Sequence, residues 1–159
     1  MPETALIALR PVEADDLPLL LELYGSTRAA ELALVPWDAA QRAAFVRLQF
    51  DAQTAFYQSE YPDAVHSMVL RNGEVVGRLY LHRRAQEVRI LDLILLPHQH
   101  GEDSGELLLS QLKADAQSLK LPLNFHLEPF NTLRSLFEEA GFVQVTDNGT
   151  RALYEWRAH

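Results

Sequence analysis

The chain has 159 residues, of which 48% are hydrophobic and 23% charged, with 14 basic against 22 acidic side chains and a net charge of -8. That size and balance fit one globular domain, and they exclude a disordered tail, a fibrous repeat and a general nucleic-acid binder, whose phosphate contacts need Lys and Arg. The lack of cysteine removes disulfides, thiolate metal sites and cysteine nucleophiles, and no apolar run reaches the roughly 18 residues of a membrane span. An acidic excess suits a cationic or amine-bearing partner and disfavours anionic membrane surfaces. The opening MPETALIALRPVEADD has neither a basic stretch nor a small-residue cleavage site, so a cytoplasmic protein with one domain over residues 1–159 is expected.

Thr4 to Arg10 reads as a strand ended by Pro11. Asp15 or Asp16 then caps a helix through Leu17, Leu20, Leu21 and Tyr24, with Gly25 as its stop. Asp38 caps a second helix, with Ala44, Phe45, Leu48 and Ala52 on one face, closed by Pro62. Val65 to Leu70 and Val75 to Arg83 flank Asn72-Gly73, the strongest short hairpin signal. Glu87 to Leu96 ends in ILDLILL, the nearly continuous apolar run of a strand buried on both faces. The loop HQHGEDSG opens an amphipathic helix through Leu107, Leu108, Leu112, Ala116 and Leu119. Leu121 to Leu127 is a strand, Asn131 to Ala140 a short helix capped by Gly141, and Phe142 to Val145 and Arg151 to Trp156 are the last strands. The order β-α-α-β-β-β-α-β-α-β-β gives an α/β (or α+β) mixed sheet of about seven strands with helices on its faces.

Two segments carry more than an outline: LDLILLPHQHGEDSGELLLSQL and LEPFNTLRSLFEEAGF. Together with the opening LIALRPVEADDLPLLLEL and the closing LYEWR, they resemble the signature regions of the GNAT superfamily of acetyl-CoA-dependent N-acetyltransferases. ELALVPWDAAQRAAFVRLQFDAQ also resembles a bacterial subgroup of that superfamily. The resemblance implies acetyl-CoA as co-substrate, lying where the strand before the loop splays from its neighbour. It implies pantetheine bonded to strand backbone about Ile94 and Leu95. The pyrophosphate would lie on a loop spanning His100, Gly101, Glu102, Asp103, Ser104 and Gly105, where unpaired N–H groups and the helix dipole favour an anion. Asn131 stands where an Asn often bonds the cofactor arm.

The sequence departs from the pattern at two places. His100 replaces the usual Arg or Gln, and Asp103 replaces a motif Gly. Glu102 and Glu106 add carboxylates, each unfavourable to the pyrophosphate by roughly 0.5 kcal/mol in water and more at lower dielectric. Asp103 and Glu106 also read as a capping box. Phe137 stands where the family often has a Tyr that protonates the leaving thiolate, and Phe has no proton to give.

Asp92 is a lone charge inside an apolar strand, so it needs a partner. It reads either as half of an ion pair with Arg78 or Arg89, or as the general base that takes the amine proton. Arg78, Tyr80 and His82 share one strand face, which is either solvated or, with His66, a substrate-side cluster. Glu31, Trp37 and Tyr61 are candidate substrate contacts, with Trp37 also readable as a packing anchor. His98 and His100 lack metal-site spacing, so no metal is expected, and no strained Gly-x-Ser-x-Gly turn supports a hydrolase. The leading expectation is acetyl transfer to a primary amine of a small molecule or peptide, with a homodimer compatible. The alternative is a GNAT-fold binding or assembly module with weakened coenzyme A affinity.

Overall fold

The computed structural model describes residues 6–96, 103–128 and 131–158. Its elements are β1 (Ile7–Pro11), a 3-10 turn (Ala14–Asp16), α1 (Leu17–Leu32), α2 (Ala39–Glu60), β2 (Val65–Arg71), β3 (Glu74–Arg83), β4 (Val88–Leu95), α3 (Ser104–Leu119), β5 (Leu123–Leu127), α4 (Arg134–Glu139), β6 (Val143–Asp147) and β7 (Ala152–Trp156). The seven strands make one mixed sheet in the order β1-β2-β3-β4-β5-β7-β6. Every pairing is antiparallel except that of β4 with β5. Strand number, element order and the βαβ crossover through α3 are as the periodicity implies.

Local chemistry accounts for most boundaries. Asn72 and Gly73 take φ of 51° and 87°, the left-handed pair that a two-residue hairpin turn requires. The Asn72 side chain also accepts a hydrogen bond from the Leu6 N–H, and its own N–H donates to the Leu6 carbonyl. One turn therefore sets the β2–β3 hairpin and anchors the approach of β1. The two-residue period of the strands divides the sheet faces. Leu79, Leu81, Ile90, Leu93, Leu123, Phe125 and Leu127 pack with Leu108, Leu109 and Leu112 of α3 and Phe137 of α4. Met68 and Ile94 pack on the other face against Leu20, Leu23 and Tyr24 of α1 and Phe50 of α2.

Three local expectations are overturned. Gly25 does not stop α1, which runs on to Leu32; a mid-helix Gly costs only about 1 kcal/mol, and here it lies against Val46 of α2. Asp16 makes no cap bond to its own helix. Its carboxylate is taken instead by Arg10 in two 2.8 Å bonds and by the Glu13 N–H, and the Arg10 guanidinium helps hold its pKa down to about 2. In α2 the face formed by Ala44, Leu48 and Ala52 is exposed, and the helix turns Val46, Phe50, Gln53 and Tyr57 inward. Two of those inward residues are polar because a buried guanidinium and a strand carbonyl lie beneath them.

The centre of the sheet carries an irregularity on which the rest of the molecule is arranged. Tyr80 faces Asp92 while Leu81 faces Ile90, so Leu91 is an extra residue in β4. Such a bulge bends its strand and increases local twist. The β4–β5 ladder holds only Val88–Leu123, Arg89–Asn124 and Ile90–Phe125, although the strands continue to Leu95 and Leu127. Beyond Ile90 and Phe125 they part, as expected of parallel strands that diverge at their C-terminal ends.

On its other side β4 is held tightly to β3. A Cβ on Gly77 would stand 2.2 Å from the Ile94 carbonyl oxygen and 2.9 Å from Leu95 Cδ2. Because a backbone atom cannot swing aside, Gly77→Ala should destabilise the protein by about 2–3 kcal/mol. Gly25→Ala meets only Val46 methyls at 3.7 Å or more and should stabilise by up to about 1 kcal/mol. Urea unfolding of the two variants beside the parent measures both; a Gly77→Ala midpoint equal to the parent's would refute the close approach.

Candidate active site

The bulge sets Asp92 on the α1/α2 face, level with Tyr80 of β3 and, one strand further, His66 of β2. Arg78, 1% exposed, donates from Nε (3.1 Å) and Nη2 (2.5 Å) to Asp92 Oδ2, and from Nη2 to Gln53 Oε1 at 2.6 Å. Its guanidinium also lies 5.6 Å from the centre of the Phe50 ring. Of the two partners open to Asp92, the structure selects Arg78. The pair uses one carboxylate oxygen; Oδ1 makes no hydrogen bond among the described residues.

Around this pair stands an aromatic row. His66 stacks on Tyr80 at 4.4 Å between ring centres and 14° between planes, and Tyr80 packs on Tyr57 at 4.8 Å. Tyr57 donates its phenol proton to the Leu91 carbonyl at the bulge, 3.2 Å away. Burial, and then the Asp92 charge, pushes the Tyr57 phenol upward, so it stays protonated and keeps donating. His66 is the reverse case. Burial and the Arg78 charge lower its pKa to about 4, and its Nε2 is buried without a partner among the described residues. Nothing in the strand pattern distinguished this face from a solvated one; α2 decides that it is covered.

A second polar network, missed in the sequence, lies on the same face beside the opening between β4 and β5. Asn124 is fully buried; its carbonyl oxygen accepts from Arg89 Nε, and its amide donates to Glu87 Oε2 at 2.7 Å. Arg89 also donates to Glu87 Oε1 at 3.0 Å and to His126 Nδ1 at 3.1 Å. Arg84 joins Glu87 at 2.8 Å and His82 Nδ1 at 3.0 Å, while His82 Nε2 meets Asp63 at 2.8 Å. A recoverable signal did exist: polar residues at alternate positions of β5 (Asn124 and His126) in an otherwise apolar strand.

At the start of α3, Asp103 occupies the N-cap position with φ -82° and ψ 7° and makes no cap bond, so the expected capping box does not form. Its carboxylate is drawn instead to Arg71 Nη1 at 2.5 Å, and the same nitrogen donates to the Ser104 hydroxyl at 2.8 Å. Ser104 and Gly105 are buried in the first turn. A Cβ on Gly105 would stand 2.5 Å from Leu136 Cδ2 and 3.2 Å from Leu95 Cδ1, so this glycine lets α3 close on α4 and β4. Ile94 and Leu95 lie on β4 beyond the last β5 pair. His100, Gly101 and Glu102 lie outside the described residues.

The remaining candidates are dispersed. Asn131 Oδ1 accepts from the Leu133 N–H at 2.8 Å and so shapes the turn into α4. Phe137 is fully buried between Phe125 and Phe142; the structure makes it a core residue, and its lack of a proton is matched by a lack of exposure. Trp37 packs on Phe45. Glu31 is exposed and pairs with Arg28, which also feels the charge of Glu128 just after β5. Among the described residues no group of three or more metal-ligating side chains occurs.

No family model and no curated protein matches the sequence. Solved structures do match this fold over nearly the whole chain. The PaiA N-acetyltransferase of Thermoplasma acidophilum, solved with coenzyme A, superposes with a TM-score of 0.69 at 17% identity, over 96% of this chain and 99% of its own. This is the GNAT acetyltransferase fold. An acetyltransferase of Thermus thermophilus gives 0.67 at 22% identity, over 96% and 97%. A GNAT-family acetyltransferase of Staphylococcus aureus gives 0.63 at 11%, over 96% and 99%. In this GNAT fold the β4–β5 opening and the start of α3 are adjacent, and the Arg78–Asp92 pair lies on the face opposite α3.

Two expectations follow from the geometry. Asp92→Asn leaves Arg78 buried with a neutral partner and should destabilise by about 3 kcal/mol, read as a lowered melting temperature. The second follows the sign of the His66 shift. The unfolded chain takes up a proton at His66 below about pH 6.5, whereas the folded chain refuses it until about pH 4. Stability therefore falls as pH drops through that window. His66→Phe keeps the stack on Tyr80 and should flatten this part of the slope, as judged by urea midpoints at pH 7 and pH 5.

Proposed function

We propose that the protein transfers an acetyl group from acetyl-CoA to a primary amine of a small molecule or peptide. The observation that carries this reading is the parting of β4 from β5 beyond Ile90–Phe125, with Asp92 on the strand edge just past it. The residues present fit the co-substrate. An opened parallel strand pair offers backbone to an amide-bearing arm, and a helix beginning Ser104-Gly105 brings small residues to the place where phosphates would lie. Ile94, Leu95, Ser104, Gly105 and Asn131, with the loop residues His100 and Gly101, would hold it. When bound, it supplies an activated acyl thioester.

The chain's own residues then have distinct tasks. Asp92, oriented through Oδ2 by Arg78, presents Oδ1 as acceptor for the proton of the attacking amine, directly or through a water. As the amine nitrogen bonds the carbonyl carbon, the C–S bond breaks, its electron pair stays on sulfur, and a proton from water completes the thiol. Backbone N–H near Leu95 would polarise the carbonyl. Tyr57, tied to the Leu91 carbonyl, keeps the bulge in place. Asp63, exposed beside His82 near the aromatic row, gives an amine-bearing acceptor nearby negative charge.

A second reading, a binding or assembly module, is favoured by one observation: the carboxylate of Asp103 stands at the α3 start and holds Arg71. Calorimetry with coenzyme A and thiol release from acetyl-CoA across an amine panel separate the two readings. The enzyme reading expects saturable coenzyme A binding and amine-dependent thiol release. Absence of both would leave the module. Under the enzyme reading, Asp92→Asn should lower turnover per folded molecule by roughly 10²- to 10⁴-fold, with coenzyme A affinity retained. Glu102→Arg combined with Asp103→Gly removes two carboxylates and releases Arg71 from Asp103. Coenzyme A binding should then tighten at least about tenfold, or ~1.4 kcal/mol; unchanged affinity would place the phosphates elsewhere.

A further inference from the structure

We infer that His126 is a further catalytic residue, whose Nε2–H donates a hydrogen bond to the sulfur that leaves as thiolate; this rests on the acyltransferase reading above. Three observations lead there. The first is position. Phe125 is the last β5 residue paired with β4, and Leu123, Phe125 and Leu127 face the α3 core. His126 therefore projects from the opposite face, the one that carries Asp92. His126 and Asp92 are the first polar side chains on that face beyond the last ladder pair, one on each side of the opening.

The second observation is the tautomer. Arg89 Nη1 lies 3.1 Å from His126 Nδ1, and a guanidinium can only donate. Nδ1 must accept, so the ring proton of the neutral imidazole sits on Nε2. The network behind Arg89 makes this arrangement stiff, since Glu87 and Asn124 bond the guanidinium and each other, and Arg84 holds Glu87. Burial, then the positive charges of Arg89, Arg151 and Arg84, lowers the His126 pKa against the pull of Glu87. A neutral donor follows, one that cannot act as a base at Nε2 and does not need to give its proton away.

The third observation is need. Phe137 is sealed in the core and carries no donor, and the Tyr57 phenol is committed to the Leu91 carbonyl. Sulfur that takes the electron pair of the broken C–S bond is stabilised most by a donor already aimed at it in a site shielded from water. The proton that completes the thiol comes from water, and His126 keeps its own.

The test uses coenzyme A itself and needs no acceptor amine. Calorimetry first establishes binding to the parent, to His126→Phe (no donor) and to His126→Gln (an amide donor of similar reach). The thiolate absorbance of bound coenzyme A is then followed against pH, with desulfo-coenzyme A complexes as blanks. In the parent, the bound thiol should ionise at least about one pH unit below free coenzyme A, a tenfold gain in thiolate at fixed pH. His126→Phe should lose that gain, and His126→Gln should keep most of it. Nitrogen-15 spectra of the parent at pH 7 should show His126 as the neutral Nε2–H form. Equal thiol ionisation in the parent and His126→Phe, or an Nδ1–H ring, would overturn the inference and leave the acyltransferase reading standing. A parent that does not bind coenzyme A would remove both.

Discussion

A guanidinium buried in the middle of a sheet must find acceptors or it cannot be there, and that demand at Arg78 organises one whole side of this protein. Asp92 supplies two of its bonds and Gln53 a third, while the Phe50 ring covers its flat face. Because Gln53 and Phe50 belong to α2, satisfying Arg78 dictates which face of that helix turns inward. It also explains why α2 leaves Leu48 exposed, against the simple count of apolar residues. Asp92 is available to Arg78 because the extra residue Leu91 re-aims β4, and α2 holds the bulge through Tyr57.

The same bulge lies where β4 leaves β5. On one side, Gly77 allows β3 to approach so closely that the Ile94 carbonyl would touch any Cβ placed there. On the other, the ladder has ended after three pairs. β4 is therefore anchored by β3 and α2 and open toward β5. Gly105 extends the arrangement by letting α3 begin directly against Leu95 and Leu136. The opening and the polar face both lie where this one strand is distorted, at Leu91. The chemistry we propose falls in the region where the sheet's regularity has been given up.

Electrostatics divides the site into compensated pairs. Net charge is -8, yet the carboxylates nearest the proposed chemistry are not loose. Asp92 has Arg78, Asp103 has Arg71, and Glu87 has Arg84 and Arg89. The pairing at Asp103 changes the meaning of an acidic residue at the start of α3. In the sequence it reads as repulsion toward a phosphate; in the fold it brings an arginine to the same place.

Much of the fold was legible because its signals are local. A two-residue turn needs left-handed backbone, and Asn72-Gly73 offers it. Period-two alternation, an unbroken apolar run before Pro97 and a leucine stripe in α3 each follow from one element burying one face. Asp92 stood out for a similarly local reason, as a charge where burial forbids an unpaired one. Pairing was not local. Whether Asp92 took Arg78 or Arg89, whether Asp103 capped its helix or held Arg71, and whether His66 and Tyr80 faced water or α2 depended on residues from 14 to 32 positions away or on another helix. Asn124 and His126 gained meaning only when the parallel pairing of β5 set them beside Arg89. The sequence by itself determined the elements, their order and the presence of a costly buried charge, since those depend on neighbours along the chain. Tertiary structure alone decided the partners of each charge, since hydrogen bonds are chosen by proximity in space.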